Sequence, residues 1–128
     1  MRLLLDTHAL ILWLAGDEVL SRKARAAIGD EANSVAVSAA SAMEIATKFR
    51  IGKLPGAGPL AQGFEAIVAA QGFSELAISV RHARRAGEMN IAHKEPFDRL
   101  LIAQALVEDM VLVSNEAVFD GFGVRRIW

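Results

Sequence analysis

The chain reads as an α/β protein built on a parallel sheet with helices over both faces. Three observations predict this. Strand signals and helix signals alternate from one end to the other. Strands separated by helices imply right-handed crossovers, and so a parallel sheet covered on both sides. The stretch after Pro96 is apolar almost all round, with Phe97, Leu100, Leu101, Ile102, Ala103, Ala105 and Leu106, as suits a helix deep in a core.

The elements follow in order. Arg2 to Leu5 is an apolar run that predicts a buried strand, and Thr7 to Leu14 a short helix. Leu20, Ala24, Ala27 and Ile28 fall at helical spacing behind Ser21, a good N-cap. Ser34 to Val37 predicts a second strand. Ser38 to Ile51 predicts a helix with Ala42, Ile45, Ala46 and Phe49 on one face. Gly52 to Pro59 is rich in glycine and proline and predicts a loop. Leu60, Phe64, Ile67 and Val68 mark a helix that Gly72 stops. Glu75 to Ile78 predicts a third strand, and Ser79 to about Glu88 a basic helix. A loop through His93 leads to Pro96, which suits a helix's first turn. That helix runs to about Glu108. Met110 to Val113 predicts a fourth strand, and Val124 to Trp128 an edge strand.

Bulk properties bound the function. At 128 residues the chain suits one domain, spanning 1–128. It has no cysteine, which excludes disulfides and thiolate metal sites. A net charge of -1 excludes a generic nucleic-acid coat protein. Basic residues still cluster, as in Lys48, Arg50 and Lys53, or Arg81, Arg84 and Arg85; such clusters read as solvated faces or as a local groove for a polyanion. Asp6 and His8 interrupt the N-terminal apolar stretch, which argues against a secretory signal. No stretch approaches the roughly 20 apolar residues of a spanning helix. The expectation is a cytoplasmic protein without a membrane partner. No GxxxxGK[ST] loop and no GxGxxG occurs, so ATP and dinucleotide chemistry have no support.

Four well-spaced acids carry the functional reading: Asp6, Glu44, Asp98 and Glu116. Asp6 follows strand one and Glu116 follows strand four. Glu44 lies in the helix after strand two, and Asp98 in the first turn of the helix before strand four. Parallel α/β folds bind ligands beyond the carboxyl ends of their strands, so one edge of the sheet can collect all four. Four carboxylates in one cleft repel each other unless a cation joins them, which points to a divalent-metal site acting on phosphate. Each acid also has a structural explanation. Ser41-Ala-Met-Glu44 matches a capping box, Asp98 complements a helix dipole, and Glu116 caps a turn. Asp6 is different, because an acid ending an apolar strand is costly to bury without a partner. His8 reads as a ligand or a structural histidine, His93 as a border of the cleft, and His82 as solvated. Thr7 and Ser114 place hydroxyls beside Asp6 and Glu116.

Three stretches then show a resemblance. They are Leu3-Leu4-Leu5-Asp6-Thr7-His8-Ala9-Leu10, Ser41-Ala-Met-Glu44-Ile-Ala, and Pro96-Phe97-Asp98-Arg99-Leu100-Leu101-Ile102-Ala103-Gln104-Ala105. Together they resemble the PIN-domain ribonucleases, nearest the VapC-type toxins of bacterial toxin–antitoxin pairs. Leu112-Val113-Ser114-Asn115-Glu116 through Phe119-Asp120 to Gly123-Val124 is similar to that family's last motif. The resemblance implies a three-layer α/β/α sandwich and cleavage of RNA, often tRNA or rRNA, with Mg²⁺ or Mn²⁺. It also implies a homodimer and a small antitoxin that covers the active site. By motif match, Asp6, Glu44 and Asp98 take the three main acidic positions. Glu116 departs from the pattern, which more often has aspartate there. Arg99 reads as a phosphate contact or a structural ion pair. The rival from another class is a non-catalytic RNA- or protein-binding module on the same fold. Within enzymes the rivals are a phosphatase, whose Asp-x-Asp this chain lacks, and a phospho-receiver, for which no lysine is suitably placed.

Overall fold

The computed structural model describes residues 1–90 and 95–128; His93, expected at the border of the cleft, lies outside the described residues. Five strands form one parallel sheet in the order β3-β2-β1-β4-β5. They are β1 (Arg2–Leu5), β2 (Ser34–Ser38), β3 (Ser74–Leu76), β4 (Val111–Val113) and β5 (Arg126–Ile127). Seven α-helices are described: α1 (Thr7–Ala15), α2 (Arg22–Gly29), α3 (Ala39–Arg50), α4 (Gly58–Gln62), α5 (Phe64–Ala70), α6 (Val80–Glu88) and α7 (Pro96–Val107).

The sheet divides the core into two layers. In β1 successive side chains point to opposite faces. Leu3 and Leu5 pack with Leu10 of α1, Ile28 of α2, Ile45 of α3 and Phe64 of α5. Leu4 packs on the other face with Leu101, Ile102 and Ala105 of α7 and with Phe119. All three leucines are fully buried. Helices therefore cover both faces, and the α/β/α sandwich expected from the sequence is the fold observed. The direction of connection reverses at β1: β2 lies on one side of it and β4 on the other. The crevice between the carboxyl ends of β1 and β4 is the switch point where such folds bind ligands.

Three local expectations are corrected. The 52–59 loop contains a 3₁₀ turn, Pro55–Ala57, and the start of α4. The helix expected through Leu60 and Val68 is two helices, because Gly63 leaves helical geometry (φ −124°, ψ 31°) between them. His82, expected to be solvated, is buried. Its Nδ1 accepts from the Ser79 backbone N–H, and its own N–H donates to the Ser79 hydroxyl, so it closes the capping box of α6.

Candidate active site

Asp6 is placed by two local bonds. Its backbone N–H donates to the Val113 carbonyl, which fixes it in the crevice between β1 and β4. Its side chain caps α1, with Oδ1 accepting from the Ala9 N–H at 2.7 Å. The residue is 6% exposed. Burial holds its carboxyl above the ordinary value of 3.8, and the nearby Glu116 adds to that. Hydrogen bonds from Ser114 and the Ala9 amide, and the field of His8, act the other way.

Glu44 sits in the interior of α3. The capping-box reading of Ser41 and Glu44 is overturned: the helix begins at Ser38, whose hydroxyl accepts from the Ala40 N–H. Ser38 in turn donates to the carbonyl oxygen of the buried Gln104 side chain, so α7 holds the start of α3. Ser41 is instead a tie between helices, accepting from the Thr7 hydroxyl at 2.9 Å. That bond spans the residue after Asp6 and the turn before Glu44, and it fixes α1 against α3. Neither Thr7 nor Ser41 is accessible. Glu44 is itself buried, and its Oε2 accepts from Lys48 Nζ one turn on. The same bond is the main reason that the Lys48 pKa is raised; burial opposes it, and the fields of Glu44, Glu95 and Asp98 add to it.

Asp98 lies half-buried in the first turn of α7. The helix dipole there does favour an acid, but the cap is Glu95. Glu95 Oε2 accepts from the Asp98 N–H at 2.8 Å and Oε1 from the Phe97 N–H at 3.3 Å. Glu95→Ala removes that cap, and caps are worth about 1 kcal/mol. The expected result is a melting temperature lower by a few degrees, since 1 kcal/mol shifts a domain of this size by about 3–5 °C. A calorimetric scan checks it.

Glu116 follows β4. Its backbone N–H donates to the Ser114 hydroxyl, while its side chain makes no cap bond and is exposed. Arg126 of β5 steadies this turn, donating to the Ser114 carbonyl at 2.8 Å and to both carboxylate oxygens of Asp120.

The four acids expected from the sequence thus meet. Asp6, Glu44, Asp98 and Glu116 line one cleft of about 200 Å³, with Thr7, His8, Lys48 and Glu95. Lys48 and Glu95 were not anticipated. Arg99 points elsewhere: its guanidinium donates to the carbonyls of Ala86 and Met89 and ties the end of α6 to α7. Among the described residues, no three His, Asp or Glu groups are close enough to hold an ion as they stand. The donor set is nonetheless of the right chemistry for a hard cation such as Mg²⁺ or Mn²⁺, which take carboxylate oxygens. Cysteine is absent, and His8 is the one imidazole among the described residues of this lining, beside the Lys48 ammonium.

A family model for the PIN domain matches residues 3–124. The chain belongs to the PIN domain family. A comparison with curated proteins finds no match. Solved structures similar in fold include toxin–antitoxin complexes. VapBC2 from Rickettsia felis, bound to a DNA fragment from their promoter, is 15% identical with a TM-score of 0.71, over 100% of this chain and 99% of that one. DNA-bound VapBC from Salmonella typhimurium is 15% identical with a TM-score of 0.65, over 99% and 97%. A toxin–antitoxin complex from Klebsiella pneumoniae is 23% identical with a TM-score of 0.62, over 88% and 85%. The family and the fold read from the motifs are therefore those found.

Proposed function

We propose that this PIN domain is a metal-dependent endoribonuclease, the toxin of a toxin–antitoxin pair, which hydrolyses RNA phosphodiester bonds. The observation that carries this reading is the cleft itself. Four acids from four separate elements line one small opening at the switch point of a parallel sheet. Caps and ion pairs alone do not require such convergence, because a cap acts within its own helix. Membership of the family and the likeness to VapBC complexes support the same reading.

Asp6, Glu44 and Asp98 would hold Mg²⁺ or Mn²⁺, with Glu116 at the rim. Such an ion, when bound, supplies a Lewis acid that polarises the phosphodiester and neutralises charge on it. The chain's own residues do the positioning. The Asp6 cap and the Thr7–Ser41 bond keep the first two carboxylates on a rigid frame. Glu95 holds the backbone of Asp98. His8, exposed at the cleft, and Lys48 are the cationic or proton-bearing groups that face an incoming phosphate. The substrate is RNA, tRNA or rRNA by analogy with the family. The partners are a cognate antitoxin and a second copy of the chain, in the cytoplasm. No described helix is long and apolar enough to cross a membrane.

The test is incubation of the chain with RNA and Mg²⁺, with and without EDTA, beside an aryl-phosphate substrate. RNA cleavage that EDTA abolishes is expected. Turnover of the aryl phosphate alone would replace the nuclease with a phosphatase, and inertness toward both would favour a binding module. Light scattering at micromolar concentration, without antitoxin, is expected to give the mass of a dimer.

Exposure ranks the acids. Glu116 is exposed, whereas Asp6 and Glu44 are buried. A carboxylate at the rim acts on a hydrated ion more easily through water, which Mg²⁺ retains readily. Glu116→Gln is therefore expected to weaken cleavage less than Asp6→Asn or Asp98→Asn, by about tenfold against a hundredfold or more. Glu116→Asp is expected to keep measurable activity. All four proteins should be compared at saturating Mg²⁺ on one RNA. Equal inactivity of Glu116→Gln and Asp98→Asn would undo the ranking.

A further inference from the structure

Lys48 is a lysine in a cleft otherwise lined largely by acids. It lies one turn after Glu44 on α3, and its ammonium donates to the Glu44 carboxylate. It lines the same opening as Asp6, Glu95, Asp98 and Glu116. An exposed i,i+4 pair on an open helix is worth little, but this pair is asymmetric: the Glu44 side chain is 10% exposed and that of Lys48 40%. The carboxylate has few water partners, so the ammonium is a large share of what satisfies its charge. Glu95 offers no equivalent, since both its oxygens accept from the backbone of α7.

We propose that the Lys48 ammonium competes with the divalent cation for Glu44, holding that carboxylate in the metal-free site and surrendering it when an ion enters. The inference rests on the metal-nuclease reading and adds to it a residue that sets metal affinity. Exchange requires no change of backbone. Lysine has a long flexible stem and its charge is easily solvated, and this one already reaches solvent. Glu44, carried on the interior of α3 and tied down through Ser38 and Ser41, stays where it is. Lys48 is thus a positioning residue that acts through Glu44.

The experiment is calorimetric titration of Mn²⁺ into the EDTA-stripped full chain. Wild type is compared with Lys48→Met, Lys48→Gln, Glu44→Gln, Asp98→Asn and the Glu44→Gln/Lys48→Met double variant. Thermal melts identify the folded variants, and two substitutions at Lys48 guard against one that fails to fold. Removal of the competitor is expected to tighten Mn²⁺ binding by about three- to tenfold, the range for a partly buried ion pair. In the Glu44→Gln background the same substitution is expected to change affinity by less than about twofold, because the contested ligand is gone. Unchanged or weaker Mn²⁺ binding in the Lys48 variants, with wild-type binding that depends on Asp98, overturns the role of Lys48 alone. Undiminished tightening in the Glu44→Gln background also overturns it, since Lys48 would then act only through the general field. Absence of Mn²⁺ binding in every protein overturns both this inference and the metal-nuclease reading.

Discussion

Asp98→Asn is expected to lose RNA cleavage by more than a hundredfold while keeping its fold. Groups that merely support a metal ligand cost ten- to hundredfold when removed, so a direct ligand should cost more. Stability should survive for three reasons. The side chain is isosteric. The α7 cap belongs to Glu95 and is untouched, because its carboxylate accepts from the Asp98 backbone N–H and not from the side chain. One of several mutually repelling charges is removed from the cleft, so the metal-free protein should melt at the same temperature or higher. The measurement is a time course on one RNA with Mg²⁺ in excess, paired with melts in EDTA. Near-wild-type cleavage would take Asp98 out of the site. A fall in both melting temperature and activity would make its role structural.

The sheet and the acids were legible because they rest on local patterns. An acid directly after Leu3-Leu4-Leu5 interrupts an otherwise apolar element, and alternation of strands and helices fixes where such residues end up. The partners were not legible, because they are set by tertiary contacts. Lys48 stood in a basic run with Arg50 and Lys53 that reads as a solvated face; the signal was its i,i+4 spacing from Glu44. Glu95 reads in the sequence only as the residue before Pro96. A side chain that accepts hydrogen bonds just before a proline at the first helical position is a start signal in its own right.

His82 and Gln104 show the same limit from the inside of the molecule. A histidine between arginines reads as solvated, yet His82 is 3% exposed. Its ring lies 3.3 Å from the Glu108 carboxylate and 3.4 Å from the Gln104 amide, groups 26 and 22 positions away. Gln104, in the most apolar helix of the chain, is fully buried and also donates to the Ala77 carbonyl. Neither pairing has a period that a sequence window can detect. The capping box expected at Ser41 failed for a related reason. Ser38 was available one turn earlier, and Thr7 recruited the Ser41 hydroxyl across the sheet edge.

Asp6→Asn is expected to abolish cleavage as fully as Asp98→Asn, and to do so in a metal-free protein more stable than wild type at neutral pH. Burial is the main cause that raises the Asp6 carboxyl above 3.8. An acid with a raised folded-state pKa favours folding when protonated. That contribution is complete below the unfolded value and is lost as pH rises through the folded one. Ionising Asp6 in the folded chain is therefore a cost that grows as pH rises, and the variant's advantage should shrink as pH falls toward the ordinary carboxylate value. Asparagine caps a helix about as well as aspartate, so the bond from the Ala9 N–H survives. Metal should reverse the order. A ligand at ten times its Kd stabilises by about 1.4 kcal/mol, or about 5 °C here. Mg²⁺ or Mn²⁺ should raise the wild-type melting temperature by that much and leave Asp6→Asn nearly unmoved. Melts across pH 4 to 8, with EDTA and with metal, read both effects. A variant less stable than wild type throughout would mean that Asp6 contributes more to the fold as a charge than burial takes away. An equal metal response in both proteins would place the ion elsewhere.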